Sequence, residues 1–595
     1  MRRFYFLILL FVAVPAAWGQ NNLPPSGAAG QFFPLARVRP GMVGYGVTVF
    51  SGNTPQRFQV RILGVVRNMG PRQAVIWAKL SGGPLAQTGV IEGMSGSPVY
   101  LDGKLAGAVA LGYPFARQAI AGITPIGQML SQARRQAPAP GVDARRLYAL
   151  LSPEAAAPPA DAFAAPRLPQ ATTALMLSGF SASDLQYFMP QFRALHLMPM
   201  LGGSSGGSAA PPVPPAQAHL QPGEMISVQL MRGDLGVSAD CTVTYVHAGQ
   251  VFACGHRFLS AGATDFPFSR AHVIAVMPGY MSSFKIDVPG AQLGIIHQDR
   301  SQGIYGRLGG QAPMVPVSIL VHSPDGEVQR YRFEVVDHPF LTPLLANMGV
   351  LATLSATQRA LGPSTLSVHG TIRLAGSPPV RIDNLYSGEM NIPGQASLAV
   401  AAPLAELYAS QLSGLRVQGI SLDVRSSDRQ RTAQLVQVWS NRLQVQPGSQ
   451  LQLTAVLRAS GGEQLRLPIH LRLPYSVAPG PLHIVVGGGS GIAALGGLLV
   501  SQPPPRSLSQ LVAHLNRVHR NNRIYVRVLQ PGASYRLQGV EFPMAPPSLT
   551  RILTAPDALG GDLRSQPMST LLRYHSRPLP FAVSGRQMVA LTVKN

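Results

Sequence analysis

The chain is expected to be mainly β, divided into several domains, with a few helices. Three observations lead there. Runs that alternate apolar and polar residues recur along most of its length, as in Phe58-Gln-Val-Arg-Ile-Leu-Gly-Val-Val66 and Leu465-Arg-Leu-Pro-Ile-His-Leu-Arg-Leu473. A period of two marks a strand with one buried face. Turn formers separate these runs, with 62 Gly and 54 Pro among 595 residues. Hydrophobic residues make up 46% and charged residues 12%, the balance of a chain that builds cores and is not disordered. The length suits roughly three to five domains.

Residues 1–19 have a basic start, an apolar stretch and a small-residue end at Gly19. They read as a secretory signal peptide, which predicts export to a periplasmic or secreted destination. The apolar stretch is short of the roughly 20 residues a membrane span needs; an uncleaved anchor is the alternative. No later segment is an uninterrupted apolar 20-mer, so no transmembrane span is expected in the mature chain. Residues 32–135 are rich in short strands, including Gly46-Val-Thr-Val-Phe50 and Ala74-Val-Ile-Trp-Ala78. Residues 136–223 are Ala/Pro/Gly-rich linkers around a short helix capped near Ser181 or Ser183. Strands resume over 224–336. A β-rich domain is expected over 340–440, an immunoglobulin-like sandwich module over 441–490, and an α+β segment over 500–595. In the last, Leu508, Leu511, Val512, Leu515 and Val518 share one face of a helix over 507–520, with Ser507 as its cap.

The net charge of +23 rests almost wholly on arginine, since Lys79, Lys104, Lys285 and Lys594 are the lysines. This charge admits an anionic envelope polymer or membrane surface as partner. No run of five basic residues exists, which favours charge spread thinly over the surface. Nucleic acid is not expected as a partner, for want of any binding motif. No metal site is expected either, because two cysteines and scattered histidines form no ligand pattern. Nor is a cofactor: Gly487-Gly-Gly-Ser-Gly-Ile lacks the Gly-Lys-Ser/Thr of a phosphate loop. Cys241 and Cys254 flank an apparent hairpin that turns near His247–Gln250, so they fall on facing strands. A cross-strand disulfide is the expectation in an oxidising compartment.

One hexapeptide stands out chemically: Gly93-Met94-Ser95-Gly96-Ser97-Pro98. A serine between glycines at a sharp turn can present a nucleophile, and the Gly93 and Ser95 amides can then face a developing oxyanion. The same residues also suit a plain hairpin turn. Gly203-Ser-Ser-Gly-Gly207 matches Gly-x-Ser-x-Gly outright, yet its Gly/Ser/Pro surroundings are those of a linker. Context therefore decides. A serine nucleophile needs a base, usually histidine. His256, in Phe252-Ala-Cys-Gly-His-Arg-Phe-Leu259, follows the cysteine hairpin directly; it reads either as a constrained, exposed ring or as a structural histidine.

Together these segments resemble the SpoIVB peptidase family. Gly93–Pro98 is similar to its nucleophile motif. Arg232-Gly-Asp-Leu, Cys241-Thr-Val-Thr-Tyr-Val, Gly255-His-Arg-Phe-Leu and Asp265-Phe-Pro are similar to a second stretch, and Leu293-Gly-Ile-Ile-His with Gly303-Ile-Tyr-Gly306 to the one after it. The resemblance covers about 35–135 and 224–310. It implies a serine endopeptidase with a chymotrypsin-like β-barrel core, acting on a protein or peptide substrate, with Ser95 as nucleophile and His256 as general base. In this chain the serine precedes the histidine, so the core is permuted. The family's acid lies shortly before its nucleophile, but Leu80–Thr88 holds no Asp or Glu, and Glu92 stands too close to the loop. Asp265 is the substitute, ahead of Asp234 and Asp240; a Ser–His dyad is the alternative. Relatives tend to lack the two cysteines, and this joint departure favours their pairing. No PDZ-like segment is evident. A catalytically degenerate scaffold that binds an envelope partner is the competing reading.

Overall fold

The computed structural model describes residues 30–70, 72–113, 115–133, 151, 173–202, 212–214, 216–357, 361–499, 505–537, 540–542, 546–554 and 564–594. The expected signal peptide, most of the expected linkers and Gly203–Gly207 lie outside them.

The first strands are β1 (Val43–Thr48), β2 (Gln56–Gly70), β3 (Gln73–Ser81), β4 (Ile91–Glu92), β5 (Pro98–Leu101), β6 (Lys104–Leu111) and β7 (Ile120–Pro125). Six of them close into a barrel in the order β1-β2-β3-β7-β6-β5. Alternation in the sequence becomes alternation in burial: Phe58, Val60 and Ile62 point inward on β2 while Gln59 and Arg61 face out. Ile76, Ala78 and Leu80 of β3 complete the same core. The short β4 leaves the barrel and pairs in parallel with a strand of the next sheet.

That sheet begins with β8 (Thr173–Ser178) and β9 (Leu197–Leu201), followed by β10 (Met225–Gly233), β11 (Gly236–His247), β12 (Gln250–Ala253), β13 (Gly262–Met277), β14 (Ser283–Arg300) and β15 (Gly303–Leu308). Between β8 and β9 runs the helix Ala182–Ala194. Ser181 caps it, with Asp184 returning the bond to the Ser181 amide as a capping box. Pairing runs β10-β13-β14-β15-β12-β11, and β11 pairs back onto β10. This circuit is a second closed set of six strands. The core is therefore chymotrypsin-like in form, with the serine half first in the chain.

The sheet continues beyond the second barrel. Strands β16 (Met314–His322) and β17 (Val328–Val336) join it through β10, and β16 pairs in parallel with β20 (Val417–Ser427). Beyond β20 lie β18 (Leu361–Leu374) and β19 (Ser377–Met390), in one 14-stranded sheet. Two helices, Leu341–Thr357 and Ile392–Ala409, are buried in the core this sheet builds. All residues from Leu341 to Leu354 are buried, and a helix apolar all round belongs in a core. Each of Leu341, Leu344, Leu345, Leu351 and Leu354 stabilises the fold by about 1.5–3 kcal/mol through burial.

The rest of the chain forms a sandwich of two sheets. One has four strands: Gln464–Arg472, Gln450–Ala459, Thr432–Ser440 and Ala582–Ser584. The other is six-stranded and includes Gly480–Gly487, Tyr525–Leu537 and Arg586–Val593. Their inner faces share one core, from Leu453 and Ile469 to Ile484, Val526 and Leu591. The stretch 441–490 thus divides its strands between both sheets, and strands from 432–440 and 525–593 complete them. The helix expected over 507–520 spans Leu508–Leu515, with the Ser507 side chain accepting from the Gln510 amide. Among the described residues no helix is long and apolar enough to cross a membrane.

Candidate active site

The Ser95 loop connects β4 to β5 where the two barrels meet. Gly93 and Gly96 both have positive φ, +93° and +91°, which glycine adopts without steric cost. At Gly96 a Cβ would lie 1.9 Å from the Thr242 carbonyl oxygen and 2.5 Å from the Cys254 nitrogen. The loop can lie this close to β11 only because a glycine stands there. Met94 is fully buried and anchors the turn. The Met94 amide donates to Ile91 O at 3.0 Å, Ser97 N to Met94 O at 2.9 Å, and Gly96 N to Val109 O at 2.6 Å. The Gly93 and Ser95 amides are not donors in these bonds. Ser97 is buried, its hydroxyl donating to Met94 O at 2.6 Å, whereas Ser95 is half-buried. Of the two serines, Ser95 is the less buried.

The second barrel grips this loop from the other side. Thr242 N donates to Ser95 O at 2.7 Å. Thr242 Oγ1 donates to Gly93 O at 2.8 Å, and Thr244 Oγ1 to Gly96 O at 2.7 Å.

The His256 loop leaves β12 beside the same contact. Cys241 and Cys254 are disulfide-bonded, with S–S 2.01 Å and Cα atoms 5.1 Å apart. Cys254 and Gly255 have φ +66° and +68°, and this left-handed pair turns the chain out of the barrel at His256. A Cβ at Gly255 would sit 2.9 Å from Val109 O, the oxygen that accepts the Gly96 amide. Thr124 Oγ1 of the first barrel donates to Gly255 O at 2.7 Å. Serine loop and histidine loop therefore rest on one carbonyl of β6.

His256 Nδ1 lies 2.6 Å from its neighbour's carbonyl, Arg257 O. A carbonyl only accepts, so Nδ1 carries the hydrogen, and in the neutral ring Nε2 is left as the acceptor. That is the tautomer a general base needs. Burial lowers the pKa of the ring below its ordinary value and the Arg257 charge adds to this, while the bond to Arg257 O works the other way. No hydrogen bond joins His256 to Ser95 among the described residues. Such contacts often tighten only when substrate binds.

The acidic candidates are placed as follows. Asp265 bonds His297 Nδ1 at 2.9 Å, both side chains being about half exposed. Asp234 accepts the Arg332 amide. Asp240 is buried beside Asp287. Glu92 accepts from Ser282 Oγ at 3.1 Å, and burial raises its pKa. The carboxylate nearest the histidine loop is Asp299, which sequence reasoning missed. It accepts from Phe258 N at 2.8 Å, Leu259 N at 2.6 Å and Ala261 N at 3.0 Å, so it holds the backbone after His256 and not the ring. Position in the fold reveals it; no local motif marks it. Among the described residues no cluster of His, Cys, Asp and Glu could hold a metal.

No curated protein and no solved structure matches the chain. A family match exists over one segment, which stops short of His256. Residues 36–122, which hold the Ser95 loop and all but the end of the first barrel, match the family described as SpoIVB peptidase S55.

Proposed function

We propose that the protein is an exported serine endopeptidase of the SpoIVB type, cleaving a protein substrate in the cell envelope. The observation that carries this is the meeting of the Ser95 and His256 loops on the Val109 carbonyl, between two closed barrels. In the reaction, Ser95 Oγ attacks the scissile carbonyl while its proton passes to His256 Nε2. The oxyanion is received by the Gly93 and Ser95 amides. His256 then protonates the departing amine, leaving an acyl-serine. Water, deprotonated by His256, releases the acid and restores the serine. Arg257 O holds the tautomer that an acidic residue would otherwise hold. A carbonyl stabilises the imidazolium less than a carboxylate does, so turnover is expected to be slow. Export is supported by the residue pattern at 1–19 and agrees with the disulfide.

A second reading, the non-catalytic scaffold, draws on Asp265 pairing with His297. A phosphonofluoridate probe separates the two. The full chain is expected to be labelled and Ser95→Ala not. Equal labelling of both, or none of either, favours the scaffold.

A further inference from the structure

Lys285, on β14, is buried at 2% exposure, and the reaction above makes no use of it. Its Nζ donates to Thr48 Oγ1 at 2.9 Å and to Gly93 O at 3.2 Å. Gly93 O also accepts from Thr242 Oγ1 at 2.8 Å, and Thr242 Oγ1 lies 3.3 Å from Thr48 Oγ1. The directions follow from the carbonyl. Thr242 gives its hydrogen to Gly93 O, so it accepts from Thr48, and Thr48 in turn accepts from Lys285. The result is a closed ring joining β1, the serine loop, β11 and β14.

Charged groups approach Lys285 from two elements. Asp287 shares its strand and Asp240 lies on β11; both raise the lysine's pKa, and the two acids are hydrogen-bonded to each other, with burial and the Asp240 charge pushing Asp287 up to about 9. Of the groups on other neighbouring elements, Met225 of β10 is apolar, and Glu92 of β4 accepts from Ser282. A lysine is costly to bury unless it is paired, and a purely structural filler here would not need a charge. Gly93 is at φ +93°, where glycine itself does not fix which way its carbonyl points. Something outside must hold that peptide.

We propose that Lys285 is a positioning residue for the oxyanion loop: backed by the Asp240–Asp287 pair, its ammonium pins the Gly93–Met94 peptide, which lies between the two peptides that carry the Gly93 and Ser95 amides, and thereby holds those amides in place. The proposal rests on Ser95 being the nucleophile. Burial pulls Lys285 down to about 7, against the pull of Asp287 and Asp240. As pH rises through that value the ammonium is lost and the clamp weakens.

The test is the rate of phosphonofluoridate labelling of the full chain from pH 5 to 9, with circular dichroism to check folding. Wild type is expected to show a rise as His256 becomes neutral, then an alkaline fall with a midpoint near pH 7. Lys285→Met should label more slowly at pH 6.5, on the order of 100-fold, and lose the alkaline fall. Thr48→Val, a near-isosteric change, removes one acceptor of the ammonium and should move the fall to lower pH. A labelled wild type with no alkaline fall overturns the proposal. So does an unchanged profile in Lys285→Met, or an unmoved fall in Thr48→Val should the lysine variant not fold. No labelling of wild type overturns the nucleophile reading, and the role of Lys285 falls with it.

Discussion

His256 is oriented by main chain, and this explains why its partner could not be read from the sequence. Every residue has a carbonyl, so the Arg257 oxygen has no signature. Asp299 is equally silent: it serves the amides after His256, and only the return of β14 brings it there. The cysteine pair was legible, because a hairpin marks it locally, and the proposed serine and histidine stand out only through their flanking glycines. Asp265 was the expected acid, but its carboxylate faces His297. Asp265→Asn is accordingly expected to leave probe labelling of Ser95 within about twofold of wild type, since surface substitutions away from special features have small effects. A tenfold or greater loss, with the fold intact, would instead make Asp265 the third member of a triad.

Among the elements, strands with alternating faces and helices with serine caps were readable in advance. Ser181 and Ser507 both cap as expected. The helix Leu341–Thr357 was not, for two physical reasons. It is apolar all round, so no 3.6-residue stripe distinguishes it from a buried strand. Its amino terminus is also served by a residue outside the usual capping set. His338 Nδ1 accepts from the Phe340 and Leu341 amides at 3.3 Å each, while Thr342 Oγ1 accepts the His338 amide at 2.8 Å. Only the neutral ring can accept, and burial lowers His338 to about 4 from the usual 6.5. Between those values the unfolded chain binds a proton that the folded chain does not, so stability is lost as pH falls from 6.5 towards 4. The loss across the window is on the order of 3 kcal/mol. Melting temperatures at pH 7.5 and pH 4.5 should therefore differ more for wild type than for His338→Asn. An equal acid-induced drop in both would show that His338 does not carry this sensitivity.

At the scale of the molecule, the apolar residues among those described form three main cores. One fills the first barrel. A second runs without a break from the second barrel through the helices at 341–357 and 392–409, because β16 and β20 carry the sheet across the expected boundary near 340. A third fills the sandwich. The chain crosses between sandwich sheets at Gly585, whose φ of +88° permits the corner. The helix Leu508–Leu515 is the exception to sequence order. It lies between sandwich strands in the chain, yet Leu511, Val512 and Leu515 pack into the second core. Calorimetry is expected to resolve a barrel-side transition, identified by its fall when the Cys241–Cys254 bond is reduced, and a separate sandwich transition. Leu511 is 1% exposed, and cutting such a leucine back to alanine costs about 2–5 kcal/mol. Leu511→Ala should lower the reduction-sensitive transition and leave the other in place. A fall confined to the reduction-insensitive transition would mean that this helix stabilises the sandwich, and that the cores divide where the sequence does.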